Sequence, residues 1–527
     1  MNPADITVII PAAGRVPEGL LALSNIVCPA MIPVGGRPVL HWTLTYLRSL
    51  GFRRVIIAVA RPGLFVEEFV DCAFGQDSDI SFMVPTRDEG VGRTIMELAE
   101  KVTTPGVLVV LGDTHFHFQT SAGDVPLPFM LDAPFVLTFP VSDSYRWCVA
   151  ETDSAGLLAT LHDKVPNLSA PLHALIGVYF FNDAELLRVA ARDCVTTAAA
   201  NGVRAELAGI LSRVNAVSQI RVERAETWLD CGNADMQANA HQVLLQSRAF
   251  NEISIDPVLG TLTKRSQKSE KFIDEINYLR LLPPNLRALF PRLFNFSIDW
   301  AAPWMELEYY GYPNLSEVFL FENVDAGVWE RIFSHLLVLL RDHFGQHTRP
   351  VAREAVIEMY VGKTRRRLAS MNCSPALATL VAYQGDIVVN GVPVTNLASL
   401  WPAVEAAVAD IATRAIGTAI HGDFCLPNIL YDLRSRVCKA IDPRGSFGAV
   451  GIFGDQRYDV AKLWHSIHGH YDFVVNNLFR IDIQGLKVSL SIRANNGHRA
   501  IEERFARVFF APGANGESPY RRRDIQL

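Results

Sequence analysis

Residues 6–14 read ITVIIPAAG, and this stretch decides how the first half of the chain is organised. ITVIIPA is a short apolar run closed by a glycine, the pattern of a buried strand. Working outward, VLHWTLTYLRSLG (39–51) reads as an amphipathic helix stopped by Gly51. RVIIAVA (54–60) is a second buried strand, VEEFVDCAF (66–74) a helix and ISFMVP (80–85) a third strand. GRTIMELAEKV (92–102) is a helix, and GVLVVLGD (106–113) a fourth strand. Regular alternation of strand and helix implies an α/β unit with a mostly parallel sheet covered on both faces. Ligands in such sheets sit outside the carboxyl ends of strands, where Gly14 and Asp113 fall.

The pattern changes near residue 245. HQVLLQSRAFNE (241–252) ends a helix and opens a new unit, so the expected domains are 1–245 and 246–527. In the second, TLTKRSQ (261–267) is a strand and a basic turn, and EKFIDEINYLRLLP (270–283) is an amphipathic helix. WMELEYYG (304–311) is strand-like, and AGVWERIFSHLLVLLRDHFG (326–345) reads as one long helix. This predicts an α+β unit with helices dominating late.

A chain of 527 residues holds two to four domains at about 100–200 residues each. With 49% hydrophobic and 20% charged residues it is globular rather than disordered. A formal charge of −6 argues against a nucleic-acid partner or a polybasic membrane anchor. Eight scattered cysteines without a Cys-x-x-Cys pair fit a reduced, cytoplasmic protein with buried thiols. The first residues read as a strand rather than a signal peptide. No stretch approaches the roughly 18 apolar residues of a membrane span.

The densest chemistry lies in HGDFCLPNIL (421–430) followed by AIDPRG (440–445). Phosphoryl transfer to an alcohol needs a carboxylate beside the attacking hydroxyl and metal ions on the nucleotide phosphates. An Asp and an Asn five residues apart, Asp423 and Asn428, present both groups from one loop, and Asp442 follows a short hairpin. These residues resemble the aminoglycoside phosphotransferase and choline kinase family, whose His-Gly-Asp-x-x-x-x-Asn signature is matched by His421, Gly422, Asp423 and Asn428. The resemblance implies a protein-kinase-like fold, Asp423 as catalytic base, and Asn428 and Asp442 as magnesium ligands. It extends to GDQRYDVAKLWHS (454–466), where Asp455 and Asp459 are structural or substrate-side carboxylates. For ATP it implies a strand lysine, Lys264, paired with a helix glutamate, Glu275; Lys268 and Lys271 are alternatives to Lys264. Residues 305–309 look like the strand that meets adenine, which places Glu306 and Glu308 among the ATP-binding residues. His465, His468 and His470 fall close together, as a metal cluster or as exposed imidazoles at a helix end.

The first half supplies a second constellation. Glycine at a strand end lets backbone N–H groups approach phosphates, and carboxylates hold a divalent metal. Ala12, Ala13, Gly14 and Arg15 form the opening turn, Asp113 closes VVLGD, and Asp230 lies in TWLDCG (227–232). Together these resemble sugar-phosphate nucleotidyltransferases, including phosphocholine cytidylyltransferases, over residues 6–242. The resemblance implies a Rossmann-like nucleotidyltransferase fold, with Asp113 and Asp230 binding catalytic magnesium. It also implies Lys164 at the acceptor phosphate and Glu89 and Gly90 in the region that reads base or sugar. Two departures stand out. The second glycine of the family opening is absent, and the family lysine falls at Pro29; Arg15 and Arg37 are the candidate replacements.

A kinase makes a phosphate monoester and a nucleotidyltransferase consumes one. The expected enzyme is bifunctional: it phosphorylates a small hydroxylated molecule with ATP, then transfers a nucleoside monophosphate from CTP, UTP or GTP, with Mg2+ in both steps. Its product is a nucleotide-activated donor for surface polysaccharide. The acceptor is a sugar or an amino alcohol. An amino alcohol of the choline type calls for aromatic faces, for which Tyr309, Tyr310, Trp401 and Trp464 are available. The alternative is a kinase beside a non-catalytic sensing or docking module. A homo-oligomer is left open.

Overall fold

The computed structural model describes residues 1–14, 28–60, 64–75, 79–87, 89–118, 131–231, 251–256, 258–322, 324–512, 516 and 518–526. It has two compact units, Met1–His241 and Gln242–Leu527. The expected boundary at 245/246 lies outside the described residues, as does the helix end expected at 241–250.

The first unit is built on ten strands: β1 Ile6–Ala12, β2 Arg54–Val59, β3 Ile80–Met83, β4 Gly106–Val110, β5 Thr114–Phe118, β6 Phe135–Val141, β7 Cys148–Thr152, β8 Leu158–Asp163, β9 Leu172–Phe181 and β10 Arg221–Asp230. They form one sheet in the order β3-β2-β1-β4-β9-β6-β10-β5, with β7 and β8 attached at β9. Along that path four pairs run parallel and three antiparallel. The parallel part is the alternating half of the sequence. Ile6, Val8, Ile9 and Ile10 of β1 are fully buried, and so are Val107 and Val109 of β4. Helices Val91–Ala99, Ala184–Ala200 and Leu207–Val217 supply Ile95, Leu98, Leu187, Ala191, Leu211 and Val214 to the core beside them. Each such leucine or isoleucine contributes about 1.5–3 kcal/mol by leaving water. The antiparallel pairs are β4–β9, β9–β6 and β10–β5, which extend the parallel part into a mixed sheet.

The second unit opens with β11 Asn251–Asp256, β12 Thr261–Ser266, β13 Leu293–Ser297 and β14 Trp304–Glu308, an antiparallel sheet in the order β11-β12-β14-β13. Helix Ser269–Leu281 follows β12. Helices Ala326–Val338 and Asn496–Phe510 pack through Trp329, Phe333, Phe505 and Phe509, all fully buried. Ala326–Val338 is shorter than the expected helix and continues as a π-helical turn, Leu339–His343. The late part is also less helical than expected. Asp386–Val389, Val392–Thr395, Phe479–Gln484 and Lys487–Ile492 make a second four-stranded sheet. Its first hairpin turns at Asn390 and Gly391, φ 50° and 83°, the signature of a tight two-residue hairpin turn.

Candidate active sites

In the second unit, β12 and the helix after it place Lys264 against Glu275. Lys264 Nζ donates to Glu275 Oε1 at 2.8 Å and Oε2 at 3.0 Å, and to Asp442 Oδ1 at 2.8 Å. Lys264 is 5% exposed and Glu275 8%. Burial disfavours the ammonium, but Asp442 and Glu275 outweigh it and raise the lysine pKa. Lys268 and Lys271 are exposed at the start of the same helix, so of the three lysines Lys264 is the buried one, and it pairs with Glu275.

The loop that carries Asp423 is held from below. Asp459, buried on helix Arg457–Ile467, accepts the backbone N–H of His421 at 2.7 Å and of Gly422 at 2.9 Å. Burial pushes its carboxyl up to about 7, against those hydrogen bonds. Gly422 has φ 79°, and a Cβ there would lie 2.8 Å from Arg444 Cβ, so the turn requires glycine. The His421 ring is fully buried and stacks on Phe290 at 5.8 Å. Its Nε2 lies 3.0 Å from the Ile441 carbonyl, and its Nδ1 accepts the Asp423 N–H at 3.2 Å. Those partners assign a neutral ring with the proton on Nε2. Asn428 donates its amide nitrogen to the Asp423 carbonyl at 2.9 Å, which leaves the amide oxygen as its remaining acceptor. Asp442 sits in the left-handed region, φ 58°, with its side chain 49% exposed. Asp423 pairs with Lys462 at 2.8 Å. Burial raises its carboxyl, but Lys462 and Arg444 hold it below the ordinary carboxylate range, so it is ionised at neutral pH and able to take a proton.

Other expected residues stand elsewhere. Lys264 is registered opposite Met305, and Thr263 opposite Glu306. Side chains alternate along a strand, so Glu306 and Glu308 face away from Lys264. Glu308 lines a separate cavity of about 650 Å³ with Arg287, Arg292 and Lys439. Strand register therefore puts these two carboxylates on the face of the sheet opposite Lys264. Asp455 is fully buried under Arg457 at 2.7 Å and the Tyr360 hydroxyl at 3.1 Å, a structural role. His468 stacks on Trp464 and pairs with Glu502, and His465 packs on Tyr471. Among the described residues no group of three or more His, Cys, Asp or Glu is placed to hold a metal. Sequence reasoning missed Lys363, Arg444 and Lys462 around Asp423. Lys462, three residues after Asp459, and Arg444, two after Asp442, carried the signal.

In the first unit Asp113 follows β4, and Asp230 ends β10 in register with Thr114. Thr114 Oγ1 accepts from Trp228 Nε1 at 3.1 Å and donates to the Ile176 carbonyl at 2.7 Å, tying three strands together at this end. The Asp113 carbonyl accepts the Cys231 N–H at 2.9 Å. Gly112 lets this turn close on β1, since a Cβ there would lie 3.0 Å from Ala12 Cβ and 3.2 Å from Ala30 Cβ. Burial, then Asp230, push the Asp113 carboxyl up to about 6. Two mutually repelling carboxylates at the same edge of the sheet suit a divalent cation. Magnesium is commonly held by one or two carboxylates plus substrate phosphates, so this pair fits it.

Around that pair, Ala12 closes β1, with Ala13 and Gly14 following; Arg15 lies outside the described residues. Pro29 starts a short 3-10 turn, Pro29–Met31, and supplies no cation. Arg37 lies 2.6 Å from His41 Nε2, a ring pushed down to about 3 by burial and by Arg37. The Glu89 carboxylate pairs with Arg87 and Arg93. Gly90 has φ 102°, and a Cβ would lie 2.5 Å from the Ala205 carbonyl, so packing explains this glycine. Lys164 is exposed on the turn after β8, with its N–H on the Trp147 carbonyl at 2.9 Å.

Residues 9–247 match the model of the nucleotidyl transferase family. No curated protein matches the chain. Among solved structures, HddC from Yersinia pseudotuberculosis complexed with GMP-PN is 16% identical, with a TM-score of 0.35 over 45% of this chain and 98% of that one. The same protein without that ligand gives the same figures. A structure described as a candidate glucose-1-phosphate thymidylyltransferase from Bacillus anthracis, in complex with sucrose, is 18% identical. Its TM-score is 0.39 over 46% of this chain and 97% of that one. No helix among the described residues is long and apolar enough to cross a membrane.

Proposed function

We propose that this chain, whose N-terminal unit is a nucleotidyltransferase-family domain, is a bifunctional enzyme. The second unit phosphorylates a small hydroxylated molecule with ATP, and the first transfers a nucleoside monophosphate to the new phosphate with release of pyrophosphate. The observation that carries the kinase step is Lys264, held between Glu275 and Asp442. A lysine fixed by a helix glutamate beside a metal-binding carboxylate is the arrangement phosphoryl transfer uses to hold nucleotide phosphates.

In this reading Asp423 takes the proton of the attacking hydroxyl, kept ionised for the task by Lys462. Asp459 and His421 hold the loop, and Asn428 and Asp442 would hold magnesium. Magnesium held there would supply positive charge to offset the nucleotide phosphates. In the first unit, Asp113 and Asp230 would hold magnesium, with the Ala12–Gly14 turn at the nucleotide. The pairing of activities makes the product a nucleotide-activated donor, and surface polysaccharide assembly is the use such donors serve. The protein acts in the cytoplasm, where ATP and the second nucleotide are supplied.

A second reading keeps the kinase and makes the first unit a non-catalytic sensing or docking module. Pro29 and the engagement of Arg37 with His41 favour it, because both remove cations from the phosphate side. ADP release across sugars and amino alcohols tests the kinase, with Asp423→Ala as control. Loss of turnover in that variant is expected, and undiminished turnover refutes the assignment of the base. Pyrophosphate release across CTP, UTP and GTP separates the two readings of the first unit.

A further inference from the structure

If the phosphotransfer reading holds, on which this inference rests, whatever surrounds Asp423 surrounds the acceptor. Those surroundings are cationic. Lys462 lies 2.8 Å from the Asp423 carboxylate. Arg444 packs its stem against Gly422 and places NH1 3.3 Å from the Tyr458 hydroxyl. Lys363, at the start of helix Lys363–Ala369, donates to the same hydroxyl at 3.2 Å. Both cations also lie over the Tyr458 ring, each 5.8 Å from its centroid. One carboxylate is paired with Lys462 and feels the charges of Arg444 and Lys363. Two of these, Lys363 and Arg444, have a phenol and the Met359 sulfur as their side-chain partners among the described residues.

The same helix supplies the contrast. Arg365 pairs with Glu405 and Arg366 with Glu358, whereas Lys363 has no carboxylate partner among the described residues. Burial, then Arg444, Arg367 and Lys462, push the Lys363 amine down to about 7, with Asp423 opposing. Like charges held this close repel, and an anion set against them replaces repulsion with charge-assisted hydrogen bonds. A quaternary ammonium would meet the reverse. It would add a further cation, and the faces of Tyr458 and Trp464 are already occupied. Tyr458 carries Lys363, Arg444 and a stacked Tyr360. Trp464 carries His468 at 4.5 Å and Arg522 at 5.4 Å.

We propose that the acceptor is an alcohol bearing its own anionic group, a carboxylate or a phosphate, held by Lys363 and Arg444 while its hydroxyl faces Asp423. The hydroxyl oxygen forms a bond to the γ-phosphorus of ATP. The bond from that phosphorus to the β,γ-bridging oxygen breaks, ADP leaves with the electron pair, and the hydroxyl proton passes to Asp423.

The test uses the full chain with magnesium, ATP and matched probes: glycerol, D-glycerate and glycerol 3-phosphate; glucose, gluconate and glucose 6-phosphate; and choline. ADP release is expected to show kcat/KM at least tenfold higher for an anionic probe than for its neutral parent or for choline. Comparing the carboxylate with the phosphate identifies the source of the charge. Lys363→Gln and Arg444→Gln are expected to raise KM for that probe tenfold or more, with KM for ATP within twofold and recovery in Lys363→Arg. Equal or better use of neutral parents or choline overturns the inference and leaves the kinase reading standing. So does a rise in KM for ATP in place of the acceptor. Calorimetric titration of the anionic probes without ATP provides the separate arm. Binding that is lost in Lys363→Gln, with no ADP from any probe, supports the anion site and refutes the kinase. Absence of binding by every anionic probe overturns the inference directly.

Discussion

Lys264 and Asp442 stand 178 residues apart in sequence and 2.8 Å apart in space, with the lysine also held by Glu275. The contact joins the sheet that opens the second unit to the loop that follows the Asp423–Asn428 segment. On the proposed function it marks where nucleotide phosphates meet the metal-binding side of the site. Lys264→Met is expected to lower ADP production by about 10²–10³-fold, the size of effect seen when one preorganised charge is removed from a transition state. Glu275→Gln is expected to lower it less, because the lysine keeps Asp442. Steady-state ADP release, with circular dichroism to confirm folding, checks both.

The Asp113–Asp230 pair makes a prediction of opposite sign for stability and activity. Burial and Asp230 raise the Asp113 carboxyl to about 6, so the apo pair is mutually destabilising. Asp113→Asn is expected to raise the melting temperature in chelator-treated buffer while lowering pyrophosphate release. Scanning calorimetry with and without magnesium measures the first effect. A melting temperature that falls in chelator would mean the two carboxylates are not in repulsion.

His421 sets an acid limit. Its folded pKa is pushed down to about 4 by burial, whereas an unfolded histidine titrates near its ordinary 6.5. Between those values the unfolded chain binds the proton and the folded chain does not, so stability falls as pH drops from about 6.5 to about 4. Protonation also removes the Nδ1 acceptor used by the Asp423 N–H. Urea melts across that window are expected to lose stability in the wild type and to lose less of it in His421→Asn.

Gly445 gives a backbone test. It has φ 72°, and a Cβ there would collide with the Asp274 carbonyl oxygen on the helix that carries Glu275. Gly445→Ala is expected to cost on the order of 3 kcal/mol and to reduce ADP release with it, since Asp442 and Arg444 share that turn. Chemical denaturation measures the first and kinetics the second.

How much of this was legible in the sequence depends on the range of the signal. The alternation of ITVIIPA, RVIIAVA and GVLVVLGD located β1, β2 and β4 because a buried strand declares itself within a few residues. The antiparallel additions did not, because pairing is set by what lies between strands. The hairpin at Asn390 and Gly391 carries its signal in the Asn-Gly pair, although the late part of the unit is expected to be dominated by helices. In the site, the Asp423, Asn428 and Asp442 spacing and the Lys264–Glu275 pair could be read as motif and strand-helix order. The facing of Glu306 and Glu308 could not, since it depends on a register fixed across two strands. Nor could the convergence of Lys363, Arg444 and Lys462 on Tyr458 and Asp423, which come from separate segments.

The most direct measurement of the two-step account is phosphorus NMR of one reaction mixture. It would contain an accepted alcohol, ATP, magnesium and a second nucleoside triphosphate. The mixture is run with the wild type, Asp423→Asn and Asp113→Asn. The account predicts ADP, pyrophosphate and a nucleotide-linked product from the wild type. It predicts accumulated phosphate monoester from Asp113→Asn, and no monoester from Asp423→Asn. Undiminished pyrophosphate release by Asp113→Asn, or monoester formation by Asp423→Asn at the wild-type rate, would contradict it.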